Sequence, residues 1–195
     1  LQQLRGMEAL MTDLAAETPA LLRLMDDLLD FNLRWIDRWL RLEYDGLHFG
    51  DDWGGQSALL VRPALWRRLF KPRYAAMFRQ VKDAGRDVWF HSDGFINDIV
   101  GDLAEIGVDV LNFQIALVGY AWTEDHIRGR IAVRTDIDRQ RVLPFGTPAR
   151  VRDEVARTIA ACGTSAGGLI ACAEIGPDVP LANIRALYEA FRDAR

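Results

Sequence analysis

Asp51, Asp52, His91, Asp93, Gln114, Asp136, Asp138 and Glu174 each stand at or just past the end of a short apolar run. They offer carboxylates, an imidazole and an amide, the groups that move protons, hold water or polar substrates, and ligate metals. His91 and Asp93 are two residues apart, so on a strand both side chains face the same side. Asp51 and Asp52 are adjacent and would point oppositely, so only one of them is expected to enter a shared site. Asp51 or Asp52 is therefore the acid/base candidate, with the roles of ligand and water-binder also open, and His91 is a second catalytic candidate. Trp53, directly after the acidic pair, is expected to line the pocket, and Gln114, Asp136 and Asp138 to bind substrate.

The elements that must position these groups follow from hydrophobic period. Residues 1–42 form leading helices: Leu4, Met7, Leu10, Met11 and Leu14 keep helical spacing, and Thr18-Pro19 marks a second start, an N-cap before a first-turn proline. Over 43–195 short strands alternate with helices. Strands are predicted near 46–50, 88–91, 109–113, 131–135 and 168–172, with helices over 63–84, 96–106, a brief one near 123–127, 147–161 and 180–194. The joint Gly85-Arg86-Asp87-Val88 recurs as Gly107-Val108-Asp109-Val110, and more loosely at Tyr44-Asp45-Gly46-Leu47. Strands separated by helices cannot be hairpins, so the pattern predicts about five parallel βα units in one domain spanning 1–195. Both barrels and open parallel sheets gather their sites at the strands' carboxyl ends, where the acids and His91 fall.

Composition narrows the class. Half of the 195 residues are apolar, 27% are charged and the net charge is -4, with the basic residues dispersed among acids. Nothing resembles a nucleic-acid-binding patch, and no apolar stretch approaches the roughly 20 residues that span a bilayer. Cys162 and Cys172 are the only cysteines, so no disulfide framework is expected and a cytoplasmic location fits. Cys162 reads as packing, His126 as a solvated helix residue, and the six tryptophans mostly as core.

Gly50-Asp51-Asp52-Trp53-Gly54-Gly55-Gln56, Arg62-Pro63 and Lys71-Pro72 resemble a strand and following helix of the uroporphyrinogen decarboxylase superfamily. His91-Ser92-Asp93-Gly94 and Ile106-Gly107-Val108-Asp109-Val110-Leu111-Asn112 resemble the next two units. Asp136-Ile137-Asp138, Leu143, Gly146-Thr147-Pro148 and Val151 are similar to a later segment, and Gly167-Gly168-Leu169-Ile170 with Pro180, Asn183 and Ile184 to its end. The resemblance runs in order over about 43–192. It implies an α/β fold, the (β/α)8 TIM barrel, present here as a partial barrel of about five parallel strands. The first three strands of the pattern are expected to be missing, supplied by a longer chain or a separate piece.

The resemblance implies two chemistries. One branch removes carboxylates from porphyrinogens without metal or cofactor. The other transfers methyl groups with a corrinoid partner and a zinc ion held by His-x-Cys and a last-strand cysteine. Here the first motif is His91-x-Asp93, and the last-strand cysteine position falls on Ala173 beside Cys172 and Glu174. A His91, Asp93 and Glu174 set is harder than thiolate and suits zinc or another divalent metal. The expected function is thus an enzyme acting on a small methylated or carboxylated substrate, with metal-dependent, corrinoid-linked methyl transfer leading, a corrinoid protein as partner and a homodimer compatible. The alternatives are a metal-free porphyrin-pathway decarboxylase without cofactor, and a non-catalytic binding or accessory half-barrel.

Overall fold

A computed structural model describes residues 1–194. Helices α1 (Gln2–Arg5), α2 (Met7–Ala16) and α3 (Pro19–Trp39) lead. Then follow β1 (Gly46–Gly50), α4 (Pro63–Leu69), α5 (Lys71–Asp83), β2 (Asp87–Ser92), α6 (Asn97–Glu105) and β3 (Val110–Phe113). The chain continues through α7 (Ile115–Val118), α8 (Tyr120–His126), β4 (Ala132–Arg134), α9 (Val142–Phe145), α10 (Pro148–Cys162), β5 (Leu169–Ile170) and α11 (Leu181–Asp193). All five strands are parallel and pair in chain order. Chain-order pairing is barrel growth, whereas a doubly wound sheet reverses its order partway. β1 and β5 end that order without pairing to each other, so the sheet is an open segment of a barrel. No helix among the described residues is long and apolar enough to cross a membrane.

The joints behave as the repeat predicts. Gly85 and Gly107 take positive φ of 70° and 102° after their helices, which glycine does without a Cβ penalty. The Asp109 carboxylate then accepts the Val88 N–H at 2.8 Å and pairs with Lys82, tying one joint to the next. Three expectations need correction. The helix expected over 63–84 breaks at Phe70, because Pro72 has no N–H to continue the ladder. The strand expected over 168–172 shortens to Leu169–Ile170, because the Thr135 hydroxyl takes over both backbone groups of Cys172. α7 and α9, four residues each, are too short to leave a periodic signal.

Period two gives the sheet two faces. Val88, Phe90, Leu111, Phe113 and Val133 face the helices and join the main core with Trp66, Phe78 and Ile99; Phe49 packs against it, and Ser92 is buried on the same face. A smaller core under α10 and α11 gathers Ile137, Leu143, Val151, Val155 and Leu187. The tryptophans divide: Trp53 and Trp66 are buried, whereas Trp35 and Trp39 stay 47% and 43% exposed beside β1, whose outer edge pairs with no strand among the described residues.

Two loops above the strands are locked together by glycine. Gly54 donates its N–H to Asp93 O at 2.9 Å, and Phe95 N–H donates to Gly55 O at 2.8 Å. The backbones approach so closely that a Cβ on Gly54 would sit 2.4 Å from the Gly94 carbonyl carbon. A Cβ on Gly94, at φ +83°, would sit 2.1 Å from Gly54 O. This clasp joins the loop after β1 to the loop after β2 and sets Asp52 beside Asp93.

Gly94→Ala is expected to destabilise the protein by more than roughly 2 kcal/mol, since both the φ and the backbone contact oppose a methyl group. Gly101→Ala, in α6 with nothing within 4 Å of its Cβ, should be neutral or stabilise by up to about 1 kcal/mol. Urea denaturation of the two variants beside wild type measures both; a Gly94→Ala as stable as Gly101→Ala would contradict the clasp.

Candidate active site

The concave face carries one polar row. Register pairs Gly50 with His91, His91 with Asn112, Asn112 with Arg134 and Arg134 with Ile170, so the side chains of His91, Asn112 and Arg134 stand at one height facing the same way. The Asn112 amide directs the row. Its Nδ2 donates to Arg134 O at 2.9 Å and Thr135 O at 3.4 Å, which leaves Oδ1 as acceptor. Two groups reach that oxygen: Arg134 Nη1 at 3.2 Å and His91 Nδ1 at 2.7 Å. Nδ1 must therefore carry the proton, and Nε2 of the neutral ring presents a bare lone pair.

That lone pair faces two carboxylates. Asp52 Oδ1 and Asp93 Oδ1 each lie 3.5 Å from His91 Nε2, and the three donor atoms fall within 4.8 Å of one another. Asp52 Oδ1 is held by the Asp93 N–H at 3.1 Å. Asp93 Oδ2 pairs with Arg139 at 2.5 Å, while Asp93 Oδ1 is buried without a hydrogen-bond partner among the described residues. Three electron-rich atoms converge here, one of them buried and without a hydrogen-bond partner among the described residues, and such a site suits a cation. This donor set of one imidazole nitrogen and two carboxylate oxygens fits a divalent metal of the zinc or manganese type.

The other expected residues are placed as follows. Asp51 points away from Asp52, as alternation predicts, and accepts from Tyr74 Oη at 2.5 Å; burial raises its pKa and the Tyr74 bond opposes that rise. Trp53, expected at the pocket, lies in the core instead, packed on Phe70 and donating Nε1 to Tyr74 Oη, because the clasp turns it inward. Gln114 Oε1 accepts the Gly94 N–H, supporting the clasp from β3. Asp138 Oδ1 accepts from the Gln140 and Arg141 N–H groups and so shapes the turn into α9. Glu174 pairs with Arg139, and Asp52 is the acid whose carboxylate oxygen lies grouped with the donor atoms of His91 and Asp93. Burial above all lifts the Asp136 carboxyl to about 6, with Asp93 and Asp138 adding to the rise and Arg139 and His91 opposing it.

Asn112, Arg134 and Arg139 carry functional geometry that the sequence did not single out. Joint-to-joint counting places Phe113 level with His91, but the ladder is staggered by one residue and puts Asn112 there. Strand stagger is the barrel's shear, which only the closed geometry reveals. His48, His91, Asn112, Arg134, Asp136 and Glu174 border one cavity of about 430 Å3 at the strands' carboxyl ends.

The family described as uroporphyrinogen decarboxylase (URO-D) matches residues 2–194. Among solved structures the chain is similar to a methyltransferase from Methanosarcina mazei, with 18% identity and a TM-score of 0.71. The similarity covers 96% of this chain and 53% of that one, so the chain spans about half the length of that relative. Comparison with curated proteins gives no match.

Asp136 yields a pH test. Its folded-state pKa is raised, so its stabilising contribution is full below the unfolded carboxylate range and is lost as pH rises through about 6. Between pH 4 and pH 8, Asp136→Asn should therefore gain roughly 2 kcal/mol relative to wild type. Denaturant unfolding of metal-stripped protein at both pH values checks this; stability curves that stay parallel would contradict it.

Proposed function

The chain belongs to the uroporphyrinogen decarboxylase family, and on that premise we propose that it is an enzyme whose Asp52, His91 and Asp93 hold a divalent metal ion against a small methylated or carboxylated substrate. The carrying observation is His91 Nε2 with two carboxylate oxygens at 3.5 Å, while Nδ1 is committed to Asn112 Oδ1. Donors bound to zinc at roughly 2.0–2.1 Å in a tetrahedron lie about 3.4 Å apart, which agrees with that spacing. A bound metal would supply Lewis acidity toward a substrate oxygen or activate a nucleophile. The protein's own part is division of labour. Asn112 fixes the tautomer, the glycine clasp holds Asp52 against Asp93, and Arg139 balances charge from Asp93 and Glu174. In the methyl-transfer form of this reading, a corrinoid protein is the partner in the exchange.

A second reading, metal-free decarboxylation, is favoured by Asp136. A carboxyl with a pKa of about 6 retains a proton close to neutrality and can return it to the carbon that loses carbon dioxide.

Elemental analysis of protein purified without added metal separates the two. The metal reading expects about one ion per chain in wild type, and a clear fall in Asp93→Ala and Asp52→Ala, each of which removes one of three ligands. Cys172→Ser and Glu174→Gln should retain the ion, and Asp93→Cys should shift preference toward zinc, because sulfur is the softer donor. A wild type that stays metal-free after zinc is added, with activity that survives chelation, would favour the decarboxylase.

A further inference from the structure

We propose that the cavity beside the His91 cluster is a seat for the carboxylate of a small monoanionic ligand, with Arg134 as its anchor. This deepens the enzyme reading above and rests on it for what happens at His91; the anion seat itself rests on Arg134 alone.

Two guanidinium groups border the cavity and their surroundings differ. Arg139 is fully engaged by acids: Asp93 at 2.5 Å, Glu174, and Asp136 at 3.8 Å. Arg134 has one hydrogen bond among the described residues, from Nη1 to Asn112 Oδ1 at 3.2 Å, and forms no ion pair with a described carboxylate within 4.0 Å. Its remaining N–H groups, the fork that grips a carboxylate bidentately, are open. The side chain is half-buried, at the carboxyl end of β4, and borders the cavity of about 430 Å3 together with His91.

Charge decides the ligand's class. One uncompensated guanidinium matches one negative charge, and Asp136 and Glu174 on the same wall oppose a dianion such as phosphate. Position decides its length. His91 and Arg134 lie on strands two apart, roughly 10 Å between Cα positions by strand spacing. Both side chains lean on Asn112, so a carboxylate on Arg134 leaves a few atoms of ligand to reach His91 Nε2. On this account the carboxylate is the handle of the substrate, and the bond that changes lies at the other end.

The test uses the three histidines as reporters. His48 and His91 border the cavity, whereas His126 stacks on Trp122 in α8 and serves as an internal reference. The chain, stripped of metal on a chelating resin and held at constant pH, is titrated with methoxyacetate while imidazole Cε1–H resonances are followed by NMR. Saturable shifts at His48 and His91 but not His126 are expected. Affinity should fall at least tenfold in Arg134→Gln and be partly kept in Arg134→Lys, whose spectra elsewhere report the fold. Uncharged 2-methoxyethanol should give no saturable shift, and inorganic phosphate should bind more weakly than methoxyacetate. No saturable shift in wild type, an affinity unchanged by Arg134→Gln, or tighter binding of phosphate or 2-methoxyethanol would overturn the proposal. Zinc content measured alongside keeps the two readings apart. Asp93→Ala should lose the metal and still bind methoxyacetate, and Arg134→Gln should do the reverse.

Discussion

Asn112 gives both amide protons to carbonyls of the neighbouring strand, at Arg134 and Thr135, and the chemistry of the site follows from that commitment. An amide so oriented can only accept at Oδ1, so the His91 ring must donate from Nδ1 and expose Nε2. Turned the other way, the amide would put N–H groups against both His91 and Arg134, and the site would lose its lone pair and its ordered arginine together. Asn112 is itself nearly buried, in the middle of three paired strands, where an unsatisfied amide would cost about 1–3 kcal/mol. Its orientation is thus set by the sheet, and the reactive nitrogen is set by its orientation.

The second constraint is steric. Asp52 reaches the cluster only because the loops after β1 and β2 touch backbone to backbone, an approach that Gly54 and Gly94 alone permit. Gln114 braces the same contact from β3. The row on the strands and the clasp above them are separate devices, one fixing a tautomer and the other a distance. Charge is divided as well: Arg139 neutralises the acids around Asp93 and Glu174, while Arg134 keeps most of its donors open.

Much of the fold was legible because parallel βα units leave strong local marks. The Gly-x-Asp-Val joints located β2 and β3, and Thr18-Pro19 and Thr147-Pro148 located helix starts that carry the N-cap bonds expected of them. His91 and Asp93 stood out because they are two apart at a strand end. One of Asp51 and Asp52 was expected at the shared site, but that Asp52 would lie closer to them than Glu174 depends on a loop contact between residues 41 apart that no periodicity records. Arg134 was hidden for a related reason. An arginine ending a three-residue strand looks like any surface charge until the stagger of the ladder places it level with His91.

The central claim is that His91 presents an unprotonated Nε2 to Asp52 and Asp93 for a cation to occupy. Two-bond and three-bond 1H–15N NMR of the imidazole in metal-stripped protein, under conditions where the ring is neutral, reads this directly. The account predicts a pyrrole-type Nδ1 and a pyridine-type Nε2 for His91, with Nε2 alone moving strongly upfield when zinc is added. A pyrrole-type Nε2, or zinc binding elsewhere on the chain that leaves the His91 nitrogens unmoved, would contradict it.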